Sequence, residues 1–538
     1  MKLTKKKSTA LPVTNETVRA AYETLQKYKQ GKTNLEMRII ENEEWWKLQH
    51  YDNGSQSTIT PSPWLFNTII NKHADAMDNI PTVSCLPRER GDEAAAKLLS
   101  DVLPVILEEN RFEKIYSSCW FDKLKSGTGC YGVFWNNALC SGIGDIDIRR
   151  IELLNLFWEP GICDIQRSKN VFHVELWDNE VLLKKYPSLS DSLSTPVFDT
   201  ARYIYDDTVD TSDKSAVIDW YYKKTIGSKE ILHFCKFANG ILLYASENDE
   251  SYMERGFYDH GKYPFILDSM YPVQGSPCGF GVIDAMKSTQ SDIDALSSAI
   301  VKNARMAAER RYFVRADGSL NEKEFADFTR PFVHYQGSGD PNSSIMPIQT
   351  PVLSDIYVGI LNNKIDELKE TSGNRDFSQG SVTGGVTAAA AIAALQEAGS
   401  KTSRDIISAS YRSIEEVCSL IISLIGQFYT VPRCFRITGK NGVYEFMLCS
   451  SDDISGMNSV TPVFDIKIRA HKKDAFSRAS ANELACNLYR LGIFDPQHID
   501  RAEACFALME FEGKDEALAI LRSNAKKYEK QGRGVEAE

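Results

Sequence analysis

Residues 387–429, TAAAAIAALQEAGSKTSRDIISASYRSIEEVCSLIISLIGQFY, run for 43 positions without a proline. Within them Ile407, Tyr411, Ile414, Cys418, Ile421, Ile425 and Phe428 recur in steps of 4, 3, 4, 3, 4 and 3. A sustained 3.5-residue repeat places these side chains on one face of a helix and predicts that this face is buried along its length. At 1.5 Å per residue the rod would reach roughly 65 Å, far beyond an ordinary globular helix, so the rest of the chain must be arranged along it. Gly399, midway, predicts a bend. Immediately before the rod stands TSGNRDFSQGSVTGGV (371–386), whose Gly and Ser content predicts a segment of low ordering energy set directly against a stiff helix.

Two more rods precede this loop. VIDAMKSTQSDIDALSSAIVKNARMAAERR (282–311) contains no Gly or Pro and predicts one long helix. VLSDIYVGILNNKIDELKE (352–370) predicts another, with Leu353, Ile356, Ile360, Ile365 and Leu368 along one side. Between them, 312–351 reads as a compact insertion with strand-like ends and a short helix.

The first 280 residues divide by periodicity. A basic arm, 1–13, precedes a helix from Asn15 that carries Val18, Ala21, Tyr22 and Leu25 and that Gly31 is expected to close. A second helix is expected around Trp45, Trp46 and Leu48, and another over 64–79 after the turn TPSP. Residues 93–127 predict one or two more, with a bend at Pro104. From Cys130 to about 273 the two-residue alternation of strands takes over, and KEILHFCKFANGILLYA holds the hairpin signal ANG. After the long rod, RCFRITGKNGVYEFMLCS and PVFDIKIRAH return to strands, and 471–530 predicts three short helices before a charged tail.

A chain of 538 residues exceeds what one hydrophobic core normally serves, so two to four modules are expected. A net charge of −11 argues against a dedicated tight binder of DNA, which needs surplus Lys and Arg to neutralise phosphates. The twelve cysteines form no C-x-x-C pair, and several, Cys418 and Cys486 among them, sit in apolar runs; buried thiols are expected. The N-terminus has charge but no apolar core of a signal peptide, and the most apolar run, 417–429, is too short to span a bilayer. The expectation is a soluble protein without a membrane partner.

Motifs that suggest catalysis fail on context. GTGCYG places Gly127, Gly129 and Gly132 at dinucleotide-loop spacing, but a helix precedes it and a strand follows, the reverse of what pyrophosphate binding needs. GKT at 31–33 lacks the first P-loop glycine, because position 26 is Gln26. The eight histidines are scattered, and the acid pairs Asp145/Asp147 and Asp452/Asp453 read as solvated carboxylates on a strand and in a loop. No catalytic residue, metal site or cofactor is assigned.

The order rod, inserted module, returning rod, pliable loop, long bent rod resembles the portal proteins of tailed bacteriophages. TAAAAIAALQEAGSKTSRD is similar to the start of that family's long wing helix. KSGTGCYGVFWN followed by IELLNLFWEPGICDIQRSKNVFHVELW resembles its passage from wing helix to wing strands. The resemblance runs in order from about Trp64 to Ala470, while 471–530 corresponds only in position to the helical crown. It implies an α+β portal-like fold: a wing (14–280), a first stem helix (281–311), a small α/β clip (312–351), a second stem helix (352–370), a tunnel loop (371–386), the long kinked wing helix with wing strands (387–470), and a crown with C-terminal tail (471–538). It further implies twelve copies ringing a channel at one capsid vertex, through which a terminase packages double-stranded DNA that later leaves. Implied partners are the terminase large subunit, the major capsid and scaffold proteins, and head-completion or tail adaptor proteins. The place implied is the virion, with assembly in the host cytoplasm. The clip is short, so its partner contacts do not transfer residue by residue.

On that reading Asn374, Arg375, Ser378, Gln379, Ser381 and Thr383 of the loop offer transient donors to a DNA backbone, and Ala388–Ala391 form a narrow helical base. Lys302 and Arg305, three apart on one helix face, with Arg310, Arg311 and Arg315 beyond them, contact phosphate or a neighbouring subunit, or form a solvated basic end. Two other readings stand beside the conduit: a virion structural or adaptor protein without a channel, and a metal-dependent nuclease.

Overall fold

The computed structural model describes residues 13–51, 59–189, 198, 213–227, 229–308, 311–314, 320–327, 329, 331–336, 345–348, 354–373, 401–438, 444–454 and 464–472, with a few positions between 482 and 509. The described residues mix helices with antiparallel sheets, an α+β chain, and the chain divides into two compact units. The first comprises 1–43, 69–284 and 400–538; the second comprises 44–68 and 285–399.

The chain opens with α1 (Asn15–Trp46), which runs unbroken through Gly31. Gly31 is therefore not a stop: a Cβ there would lie 2.6 Å from Pro160 Cγ, so the glycine permits close approach rather than termination. Val13, at the end of the expected basic arm, is buried, with its backbone paired to Asn248. Next come α2 (Trp64–Met77) and β1 (Asn79–Leu86), a strand the periodicity did not disclose. Then α3 (Glu93–Glu109) passes straight through Pro104. The break falls instead at Asn110–Arg111, where Arg111 is left-handed (φ 52°) and α4 (Phe112–Ser126) begins.

Gly127, left-handed at φ 89°, ends α4 and turns the chain into β2 (Thr128–Asn136). A Cβ there would meet the Phe280 backbone at 2.3 Å, so this glycine serves packing, not phosphate. β2 is the centre of a three-stranded antiparallel sheet, between β3 (Asp145–Arg150) and a later strand. A five-stranded antiparallel meander follows: β4 (Leu156–Trp158), β5 (Asn170–Asp178) with α5 (Asn179–Lys185) at its end, β6 (Lys214–Ile226), β7 (Lys229–Ala238) and β8 (Ile241–Ala245). The β7–β8 turn is made by Asn239 and Gly240, both at positive φ (50° and 77°), the conformation the ANG signal demands.

Two-residue alternation sorts β6 between two cores. Ala216, Ile218, Trp220 and Tyr222 face α1, where Val18, Ala21, Leu25 and Tyr28 meet them; Val217 faces α5 and Leu182. Beside this core Lys32 of α1 is buried, its ammonium donating to the carbonyls of Leu153 and Leu156, and burial lowers its pKa to about 8.

β9 (Phe265–Ser269) completes the three-stranded sheet against β2. It is followed by α6 (Val282–Ala308), β10 (Tyr312–Val314), α7 (Glu322–Ala326), β11 (Ile345–Pro347) and α8 (Asp355–Ser372). The described part of the long rod is α9 (Lys401–Phe428); the run 387–400, with Gly399, lies outside the described residues. Of its seam, Ile407, Ile414, Cys418, Ile421 and Ile425 are buried, and the rod packs on β2 and β9. Its anchor is polar. Lys123 of α4 donates to Asp268 Oδ1 of β9 (2.7 Å) and to Ser410 Oγ of α9 (2.5 Å), while the Ser410 hydroxyl donates to Asp268 Oδ2 (2.7 Å). All three side chains are buried.

β12 (Arg433–Thr438) and β13 (Tyr444–Cys449) form a hairpin, and β14 (Asp465–Lys472) pairs antiparallel with β1 across all eight residues. Of the segment expected to form the crown, only scattered positions are described.

Candidate functional site

The second unit holds both rods and the insertion between them. Its register is set by α6, where Gln290, Asp294 and Ser298 lie one turn apart on one stripe. Asp294, fully buried, accepts from the Ser62 N–H (2.7 Å) and from Gln290 Nε2 (2.9 Å). Gln290 also donates to the Ser62 carbonyl (2.8 Å) and accepts from the Leu65 N–H (3.2 Å), and Ser298 Oγ accepts from the Thr60 N–H (2.9 Å). The TPSP turn is thus held through its backbone by three polar side chains. His50 sits 3.7 Å from Asp294 Oδ2 and stacks on Trp45 at 3.7 Å, and burial raises the pKa of neighbouring Tyr51. The sequence pointed to Trp45 and to the TPSP turn, but not to Gln290, Asp294, Ser298 or His50. The available signal was a polar stripe of period four on a helix whose neighbouring stripe, Ile283, Met286 and Ile293, is buried and apolar.

The returning rod is joined to α6 by Lys364, which bridges Glu367 on its own helix (3.1 Å) and Asp292 (3.4 Å); those hydrogen bonds, Glu367 first, raise its pKa. Lys369 lies over the Trp64 ring at 5.8 Å. The apolar side expected on α8 is buried only at its C-terminal end, at Leu368. Toward the insertion Ile356 (63% exposed), Tyr357, Val358 and Ile360 all face outward, as do Val301 and Met306 of α6. The insertion has the predicted make-up: β10 and β11 pair antiparallel, Tyr312 to Pro347, with α7 between them. The cross-strand partners Phe313 and Met346 are both largely exposed.

Lys302 and Arg305 stand exposed on the last two turns of α6, and Arg311 is exposed at the entry to the insertion. Arg310, Arg315 and the loop residues Asn374, Arg375, Ser378, Gln379, Ser381 and Thr383 lie outside the described residues.

Of the acid pairs read as solvated, Asp452 and Asp453 are exposed as expected, whereas Asp145 and Asp147 are half-buried and held by structural partners. Asp145 accepts from Arg433 (2.9 Å) and the Tyr429 hydroxyl (2.8 Å), Asp147 from Arg149 (2.5 Å), and Asp453 caps the Ser450 N–H (2.9 Å). Among the described residues no group of three or more His, Cys, Asp or Glu side chains could hold a metal ion, and no helix is long and apolar enough to cross a membrane. All twelve thiols are free; eight are buried, whereas Cys140, Cys163, Cys434 and Cys486 are exposed, the last against expectation. Burial pushes Cys85 and Cys278 up to about 11 and Cys449 to about 12.

The family model described as Phage P22-like portal protein matches residues 67–262 and 258–537. No curated protein matches the chain. The matched family is structural rather than enzymatic, and its members serve as phage portals, oligomeric rings associated with the capsid. With most of its length matched, this chain belongs to the P22-like portal protein family of tailed phages.

Proposed function

We propose that the protein forms a closed ring, of twelve copies, around a channel at one vertex of the capsid, and that double-stranded DNA is packaged and later ejected through it. The observation that carries this reading is the start of α8. Ile356, Tyr357 and Val358 point in three directions about 100° apart, and all three are exposed, with Ile360 beside them. A helical segment that exposes apolar side chains over more than half of its circumference calls for cover on more than one side. Among the described residues nothing supplies that cover, and a head-to-tail contact closed into a ring gives every copy a neighbour on both flanks.

The remaining parts take roles consistent with a conduit. DNA must slide, and each retained phosphate contact opposes sliding, so an acidic protein suits the task; twelve copies carry −132. Lys302, Arg305, Arg310 and Arg311 supply a few regularly repeated contacts, to phosphate or to the adjoining copy. The segment 371–386 serves as the tunnel loop, with Asn374, Arg375, Ser378, Gln379, Ser381 and Thr383 as its transient donors. The insertion 312–351 receives the terminase large subunit during packaging and head-completion or tail adaptor proteins afterwards. The surrounding domains meet the major capsid and scaffold proteins. Assembly takes place in the host cytoplasm.

Deleting residues 374–384 tests the conduit. The ring and the capsid should still assemble, while packaged DNA or its retention is lost. Normal packaging by that variant would refute the role of the loop and favour a shell or adaptor component.

A further inference from the structure

The β12–β13 hairpin carries large apolar side chains on both faces, with the exposed Arg436 at the edge of the outer one. Its inner face lies on α3, with Phe435 and Cys449 buried. Its outer face is built from the cross-strand pairs Cys434–Leu448 and Arg436–Phe446. There Phe446 is 71% and Leu448 63% exposed, Cys434 is exposed, and Val431, just before the strand, is 56% exposed. A half-buried antiparallel strand ordinarily alternates apolar inside with polar outside; the run Phe446, Met447, Leu448 is the pattern of a strand covered on both faces. The platform is firmly held. Arg433 at its base lies over the Tyr429 ring at 4.0 Å, pairs with Asp145 and donates to the Gly144 carbonyl (2.6 Å). Such a preformed apolar patch is a docking surface that needs little ordering on association.

We propose that this outer face is a lateral contact between neighbouring copies of the chain, made by the first unit independently of the α8 contact in the second; the proposal rests on the ring reading. Size selects the occupant. An aromatic side chain carries 150–250 Å², so the patch amounts to on the order of 300 Å² of apolar surface, well below the roughly 800 Å² per partner of a self-sufficient interface. It is too small for an isolated dimer or a free-standing partner, and of the right size for one of several contacts that act together when identical copies close a ring.

Cys434 provides a native reporter. The unassembled chain and the purified ring are pulse-labelled with N-ethylmaleimide, and the Cys434 peptide is quantified by mass spectrometry against fully denatured protein. The expected result is rapid labelling before assembly and at least a tenfold slowing in the ring, because thiol reactivity follows access. The variants Phe446→Asp and Leu448→Lys should keep the melting temperature of the unassembled chain while raising the concentration needed for assembly at least tenfold. Equal labelling in chain and ring, or normal assembly of both variants, would overturn the proposal while leaving the ring intact. Protection already present in the unassembled chain would overturn it in favour of cover by the chain itself. Protection that arises only after the ring joins a capsid would overturn it in favour of a capsid protein. Absence of any ring under assembly conditions would fail the ring reading first and the proposal with it.

Discussion

Replacing Lys123 by Met isolates the joint that holds the longest rod to its sheet. The substitution keeps volume and apolar stem but removes a cation that is 1% exposed. Asp268, 3% exposed, would keep only the Ser410 hydroxyl as partner. Removing one member of a buried ion pair strands the other charge and costs about 3–5 kcal/mol. Asp268→Leu should cost a similar amount by stranding the ammonium over the Trp120 ring. The double variant removes both charges and should lie about 1–3 kcal/mol below the original protein, the cost of the orphaned Ser410 hydroxyl. The cycle therefore predicts a coupling on the order of 5 kcal/mol. Urea unfolding of the unassembled chain, followed by tryptophan fluorescence, reads it, since Trp120 lies 4.8 Å from the Lys123 ammonium. Single variants within about 1 kcal/mol of the original protein would mean that water reaches the pair, which α9 packing forbids. Additive losses in the double variant would mean that shape, not charge pairing, holds the rod.

Gly31→Ala gains about 1 kcal/mol of helix propensity but drives a Cβ to 2.6 Å from Pro160 Cγ and 3.2 Å from its Cβ, an overpacking cost of about 1–3 kcal/mol, so it should destabilise on balance; in a Pro160→Gly background, which removes both contacts, thermal unfolding should show the sign reversed. His260, whose Nδ1 accepts the Lys262 N–H (3.0 Å), has its pKa lowered to about 4, first by burial and then by Lys262. Its folded pKa lies below the unfolded value near 6.5, so the stability conferred by the neutral ring is complete above that pH and is lost as pH falls toward 4. Stability measured from pH 7 to 4 should decline by on the order of 2 kcal/mol, and His260→Gln should flatten that part of the profile. Ile356→Asp with Ile360→Asp should leave the far-ultraviolet circular dichroism of the single chain unchanged and abolish ring assembly in light scattering.

What was legible in the chain followed from local rules. The Asn239–Gly240 turn, the seam of α9 from Ile407 to Ile425 and the strand–helix–strand insertion each depend on contacts within a few residues or on one helix face, which periodicity reports directly. What was not legible depends on partners far along the chain. Gly31 reads as a stop until Pro160 packs against it, and Pro104 reads as a bend although the break comes at Arg111. β1 finds its partner β14 nearly four hundred positions later, so no local signal announces the pairing. The same holds for the candidate site. The rods were visible, whereas the grip of Gln290, Asp294 and Ser298 on the Thr60–Leu65 backbone joins segments more than two hundred residues apart. Asp145 looked solvated because its partner Arg433 is equally remote.

In the proposed ring, identical copies close around an opening. Mass measurement of the purified protein under assembly conditions, joined to images viewed down the particle axis, tests it most directly. A ring of twelve 60.5 kDa chains gives a particle of roughly 730 kDa, with rotational symmetry and a hole at its centre. A single 60.5 kDa species at every concentration, with scaffold protein present, would contradict it.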